Sequence, residues 1–330
     1  MKNYNKFILE KIESVMIGHA VADALGVPVE FSEREELKEN PVIEMMGYGA
    51  HPVEKGCWSD DTSMSLAALD SLAKGKIDYD DVMNNFVKWI SKNEYTATEE
   101  LFDIGMTCYK AIRRFISFGY KDALKCGLDG ENYNGNGSLM RIHPFALFLY
   151  FQGKANEENI ELIHNASALT HAHERSKIAC GIYSFVLWEL LDCQNKSSVK
   201  KGLERAKMFY NGHKDFEIYN EKLIERIGCV LSCKNVNKTE EICESEIKSS
   251  GYVLDTIEAA IWCVLTTNSY KECVLKAVNL GGDTDTVAAV AGGLAGALYG
   301  IFDIPKKWVE TLLRRDYILD VCKRAALEWS

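Results

Sequence analysis

Apolar residues recur three and four positions apart through almost the whole chain, and only five prolines in 330 residues interrupt them, which directs the backbone into helices nearly everywhere. Phe7, Ile8, Ile12, Val15 and Met16 open the pattern. Val82, Phe86, Trp89 and Ile90 repeat it, as do Leu101, Ile104, Cys108, Ile112 and Phe115, and later Ile178, Ile182, Phe185 and Val186. Strand-like alternation is nearly absent, and there is no internal repeat or Pro- or Ser-rich linker to suggest a solenoid or tethered modules. The expected fold is all-α: a compact single-domain orthogonal helical bundle over residues 1–330. The most polar stretch, residues 193–250, is expected to be a peripheral helical excursion of that domain. Residues 287–300 are rich in Ala and Gly, so a helix there admits another backbone at close range and belongs at the centre.

With 47% hydrophobic and 26% charged residues the chain has the composition of an ordinary globular protein. Its net charge of -10 argues against nucleic acid or an anionic membrane as partner, since both demand clustered Lys and Arg. Arg113-Arg114 and Arg314-Arg315 read as solvated faces or local anion contacts. Residues 1–10 lack the form of a signal peptide, and no stretch approaches the roughly 18 uninterrupted apolar residues of a membrane span, so a cytoplasmic protein is expected. Eleven scattered cysteines, an odd number, fit a reducing compartment. Cys229 and Cys233 could share a helix face, but no second pair at ligand spacing supports zinc. No heptad seam demands association, and a monomer is expected.

Two distant clusters pack carboxylates and hydroxyls into four residues before an apolar helical run: Ser59-Asp60-Asp61-Thr62 and Asp283-Thr284-Asp285-Thr286. Either alone reads as a helix N-cap. Two carboxylates in each exceed what a cap needs, and burying several requires a compensating cation. Oxygen-only ligands suit Mg2+ or Mn2+ rather than Zn2+, and carboxylates from two clusters can bridge two ions, so a central binuclear metal site is expected. Glu30 is a further acid in a mostly apolar segment, placed just after Pro28 should end the first helix. Asp23, in the same segment, reads equally as a ligand or as a structural tie to backbone N–H groups. Asn134-Gly135-Asn136-Gly137-Ser138-Leu139-Met140-Arg141 is a Gly/Asn-rich loop that can present N–H groups to a phosphate or be a plain turn. His171 and His173, two apart, cannot share a helix face as metal ligands; one of them contacting a ligand competes with an ordinary capping or core role.

Taken together and in this order, the motifs resemble the ADP-ribosylglycohydrolase family, of the dinitrogenase reductase-activating type. The resemblance rests on Asp23-Ala24-Leu25-Gly26 to Glu30, Ser59-Asp60-Asp61-Thr62, Phe102-Asp103-Ile104-Gly105, Asn136 to Arg141, Leu169-Thr170-His171, and Val278 to Thr286, and spans nearly the whole chain. It implies a binuclear Mg2+ or Mn2+ hydrolase that cuts the bond joining ADP-ribose to a protein side chain, arginine foremost, with the ADP-ribosylated protein as its partner, or alternatively another ADP-ribose or nucleoside conjugate as its substrate. It places Ser59, Asp60, Asp61, Asp283, Asp285 and Thr286 on metal-ligand positions, with Asp61 among the catalytic residues. Glu30 falls on an acid near the metals and Asp103 on a proposed base that also meets substrate. Asn136, Gly137, Ser138 and His171 fall on the ADP-ribose pocket. Ser59 stands where Thr is commoner, keeping the hydroxyl, and Ala22 stands where Gly is usual. The chemistry is coherent: cleavage at a ribose passes through an oxocarbenium-like state, metals would fix the sugar hydroxyls, and a metal-bridging water would attack with Asp103 or Glu30 as base.

A haloacid-dehalogenase-like phosphatase is the competing enzyme, since Asp283-Thr284-Asp285-Thr286-Val287 imitates its nucleophile motif. That motif should end an early strand with an α/β domain after it, and here it follows a helical stretch near the end of the chain. A non-catalytic crystallin-like or ADP-ribose-binding member of the same fold would be expected to lose metal-ligand positions, and all six are intact.

Overall fold

The computed structural model describes residues 4–225 and 244–330. Its α-helices of six residues or more are, in chain order, α1 (Lys6–Gly26), α2 (Arg34–Glu39), α3 (Asp60–Leu72), α4 (Tyr79–Lys92), α5 (Met106–Ser117), α6 (His143–Phe151), α7 (Ile160–Ala168), α8 (Glu174–Asp192), α9 (Lys196–Phe209), α10 (Val253–Thr266), α11 (Tyr270–Val278), α12 (Thr284–Tyr299), α13 (Lys306–Thr311) and α14 (Arg315–Trp329). Among the described residues β-structure is limited to two isolated bridges, so the protein is an all-α helical bundle. The second acidic cluster follows α11 rather than a strand, against the phosphatase arrangement. Cys229 and Cys233 lie outside the described residues.

The centre of the bundle is the antiparallel pair α1 and α12. α12 is buried along nearly its whole length and α1 throughout residues 14–26, as a helical stretch without a polar face must be. Glycines permit their contact: a Cβ on Gly296 would lie 2.0 Å from the Ser14 carbonyl oxygen, and one on Gly26 would lie 2.4 Å from the Asp285 Cα. The crossing therefore draws the C-terminal end of α1 onto the first turn of α12. Lys6–Val29 is long and apolar enough to cross a membrane, but its most apolar stretch is 94% buried inside the fold. Outer helices have the expected single apolar stripe, as in α4, where Val82, Met83, Phe86 and Trp89 face inward.

Side-chain caps set several helix starts, among them Asn5, Ser59, Asp78, His173, Asn195 and Ser269. Pro28 sits in a 3₁₀ turn directly after α1, ending it as expected. One helical expectation fails. The spacing of Leu101, Ile104 and Cys108 suggests a helix from residue 101, but α5 begins at Met106. Glu99 and Asp103 adopt left-handed φ of 63° and 50°, which breaks any helix there and leaves Asp103 in a loop. Of the polar stretch 193–250, residues 196–209 form α9, which packs on α8.

Candidate active site

Asp23, at the end of α1, organises the site's first wall. Its carboxylate is wholly buried and accepts from Ser59 N at 3.0 and 3.1 Å, from Thr62 N at 3.1 Å and from Thr62 Oγ1 at 2.6 Å. Burial raises its pKa to about 6, against the pull of those donors. Asp23 thus ties the first turn of α3 to α1, the structural reading of the two.

That tie presents Asp60 and Asp61 at the N-terminus of α3. The Ser59 hydroxyl caps the helix by accepting from Asp61 N at 3.3 Å, so neither carboxylate is spent on capping. Asp60 Oδ2 accepts from Gly105 N at 3.3 Å. Asp61 Oδ2 accepts from Ser59 Oγ and from Thr286 Oγ1, each at 3.2 Å, and the second bond joins the two clusters. Asp61 Oδ1 is buried and has no partner among the described residues. At the head of α12, Asp283 makes no capping bond, its Oδ2 instead accepting from Asn136 Nδ2 at 2.8 Å, while Asp285 Oδ1 accepts from Thr286 N at 2.8 Å. Thr284 Oγ1 donates to the Gly26 carbonyl at 2.8 Å, fastening α12 to the end of α1.

Glu30 completes the cluster. Its carboxylate meets those of Asp283 and Asp285, with ligand atoms within 4.8 Å of one another, and the same holds for Glu30, His51 and Asp103. His51 Nε2 is hydrogen-bonded to Glu30, and its ring packs against Phe102 with centroids 5.2 Å apart. Burial, with the charges of Asp103 and Asp283, raises Glu30 to about 7, against its bond to His51. Asp60, Asp61 and Asp285 stand well above the usual carboxylate range because they are buried beside one another, and burial also raises Asp103.

A cavity of about 280 Å³ opens over this floor, lined by Glu30, Asp60, Asp103, Asp283 and Thr286 on one side and by Gly135, Asn136, Gly137 and His171 on the other. No Lys or Arg lines it among the described residues. Ser59, Asp61 and Asp285 do not line it and are buried. The Gly/Asn-rich loop docks on the start of α10 through Asn136 N to the Gly251 carbonyl at 3.0 Å and Val253 N to the Asn134 carbonyl at 3.0 Å. Ser138 is not brought to the cavity: it is fully buried, with its hydroxyl against Ser167 and Cys180. Arg141, also fully buried, donates to Thr170 Oγ1 at 2.7 Å, and that hydroxyl lies 2.8 Å from His171 Nδ1. Burial and Arg141 lower His171 to about 3, which keeps the ring neutral. His173, by contrast, caps α8. His51 is the residue that motif reading misses; a lone His in a Gly/Pro-rich loop carries no spacing signal.

A family model described as ADP-ribosylglycohydrolase matches residues 5–330. The chain belongs to the ADP-ribosylglycohydrolase family. Among ADP-ribosylglycohydrolase relatives, an ADP-ribosylarginine hydrolase of Serratia proteamaculans is 31% identical, covering 96% of this chain and 79% of its own. An ADP-ribosyl-[dinitrogen reductase] glycohydrolase of Rhodospirillum rubrum is 32% identical over 90% of this chain and 88% of its own. A solved ADP-ribosylglycohydrolase-related protein complex superimposes with a TM-score of 0.72 at 27% identity, covering 98% of this chain and 99% of that one.

Proposed function

We propose that this chain is a metal-dependent hydrolase that cleaves the glycosidic bond between ADP-ribose and a modified protein side chain, with ADP-ribosyl-arginine as substrate. The observation that carries the reading is a cavity walled by Glu30, Asp60, Asp103 and Asp283 with no Lys or Arg lining it among the described residues, next to a buried Asp61 whose Oδ1 has no partner among them. Such a charge cluster is stable only with cations bound or protons taken up. The donor set, all oxygen, fits two hard divalent ions, Mg2+ or Mn2+, held by Ser59, Asp60, Asp61, Asp283, Asp285 and Thr286. When bound, they would neutralise these carboxylates and bind hydroxyls of the ribose next to the scissile bond.

The protein's own groups supply the rest. Glu30, raised toward neutrality, and Asp103, on the facing loop, are the candidate bases that accept a proton from the attacking water as the bond to the acceptor breaks. His51 orients Glu30 through their hydrogen bond. Asn136 fixes Asp283, and the neutral His171 lines the opposite wall, where its ring can meet the ADP-ribose. The name of the Serratia relative, an ADP-ribosylarginine hydrolase, supports arginine as acceptor.

The test is release of free ADP-ribose from ADP-ribosyl-arginine and ADP-ribosyl-serine peptides with Mg2+, with Mn2+ and with EDTA. Metal-dependent release from the arginine peptide is expected, abolished in an Asp283→Ala, Asp285→Ala double variant. Glu30→Gln and Asp103→Asn should bind metal while at least one loses about a hundredfold or more in kcat; full turnover in both would remove them as bases. Metal binding without release from either peptide would point to another ADP-ribose or nucleoside conjugate. Absence of metal binding would favour a non-catalytic member of the fold.

A further inference from the structure

Val29 to Ser32 form a tight turn at the mouth of the cavity, closed by Ser32 N donating to the Val29 carbonyl at 3.0 Å. Glu30 has φ -53° and ψ 137°, and Phe31 follows with φ 64°. This is the backbone of a type II turn, whose third position demands positive φ and therefore strongly favours Gly. Phe31 occupies it instead. Its N–H is pinned to the Gly282 carbonyl at 2.7 Å, and Gly282 N donates back to the Ser32 carbonyl at 2.9 Å, so the strained geometry is held from outside the turn. The phenyl ring gains little from folding, being 72% exposed while lining the cavity. A large apolar ring at a glycine position, left in water, is disfavoured by both backbone and solvent, and such an outlier at a site points to a ligand.

Position and charge select the ligand. The ring is one residue from Glu30, and Asp103 shares its side of the cavity; both acids lie outside the proposed metal-ligand set, so bound metals leave them to face a substrate. These two carboxylates complement a cation, and a guanidinium is the cation that stacks flat on an aromatic face while donating to carboxylates. We propose that Phe31 is the acceptor-side specificity platform, its ring stacking on the guanidinium of the modified arginine next to Glu30 and Asp103. This rests on the functional reading above.

Phe31→Gly removes the ring and gives the turn its preferred residue, so folding is not at risk and the melting temperature should rise. With the metal-loaded enzyme, KM for an ADP-ribosyl-arginine peptide should increase about tenfold in Phe31→Gly and Phe31→Leu, while Phe31→Trp stays near wild type, since only aromatic rings attract the cation. Inhibition by free ADP-ribose, which lacks the guanidinium, should be unchanged in all three. An unchanged KM, or a KM rise matched by weaker ADP-ribose inhibition, would overturn the assignment, the latter by placing the ring on the nucleotide. A fall in melting temperature in Phe31→Gly would overturn it too, by showing that the ring serves packing. Should the wild type itself not cleave the arginine peptide, the functional reading fails first and this one with it.

Discussion

A buried carboxylate oxygen with no donor near it among the described residues is tolerated only where a proton or a cation completes it. Asp61 Oδ1 is in that position, and the rest of Asp61 is held by two hydroxyls that could equally serve an amide. Asp61→Asn should therefore raise the stability of the metal-free protein by about 1 kcal/mol while weakening Mn2+ binding by about a hundredfold. Denaturant melts in EDTA and titration calorimetry read the two effects separately, and a metal-free protein destabilised by the change would mean that the charge is already satisfied. Residues of this kind are visible in sequence because they come as local excess, two acids where a cap uses one hydroxyl. Asp23 shows where that visibility stops, since only the position of Ser59 and Thr62 across the fold decides that it is a tie. His51 shows the same from the other side. It reaches Glu30 because its loop folds back, with Ala50 N on the Pro28 carbonyl and Tyr48 N on the Val53 carbonyl, and no spacing rule encodes that return.

Among the elements, the small-residue run of α12 was the most legible, because a helix of Ala and Gly has only one profitable place, against another backbone. Gly296→Ala should cost about 2–3 kcal/mol in urea unfolding, since the added methyl would sit 2.0 Å from the Ser14 carbonyl and neither helix can retreat without opening the core. A loss below about 0.5 kcal/mol would mean that the crossing is looser than described. The start of α5 was illegible for a definite reason. Apolar periodicity records which residues are buried, and Leu101 and Ile104 are partly buried against the core, but it does not record the sign of φ at Glu99 and Asp103. The same left-handed step that ends the helical reading delivers Asp103 to the cavity.

For the molecule as a whole, the acids and the buried histidines set opposite pH dependences. Asp23, Glu30, Asp60, Asp61, Asp103 and Asp285 all have folded pKa values raised by burial, so between about pH 8 and 6.5 the folded state takes up protons that the unfolded chain does not, and metal-free stability rises as pH falls. His19, lowered to about 4, His171, lowered to about 3, and His143, lowered well below its ordinary value, act below about pH 6.5, where the unfolded chain protonates and the fold refuses. In EDTA the melting temperature should increase by roughly 2 °C or more from pH 8 to 6.5. Saturating Mn2+ should flatten or reverse that rise, and an EDTA profile already flat would contradict the buried cluster. The pairing of α1 with α12 has a consequence in time as well. The two acidic clusters are written more than two hundred residues apart, so a growing chain on the ribosome carries Ser59 to Thr62 long before Asp283 to Thr286 exists. Until α12 has been made and seated, no premature species can assemble the whole cluster, and a chain cut short before it would be inert however well its first half had folded.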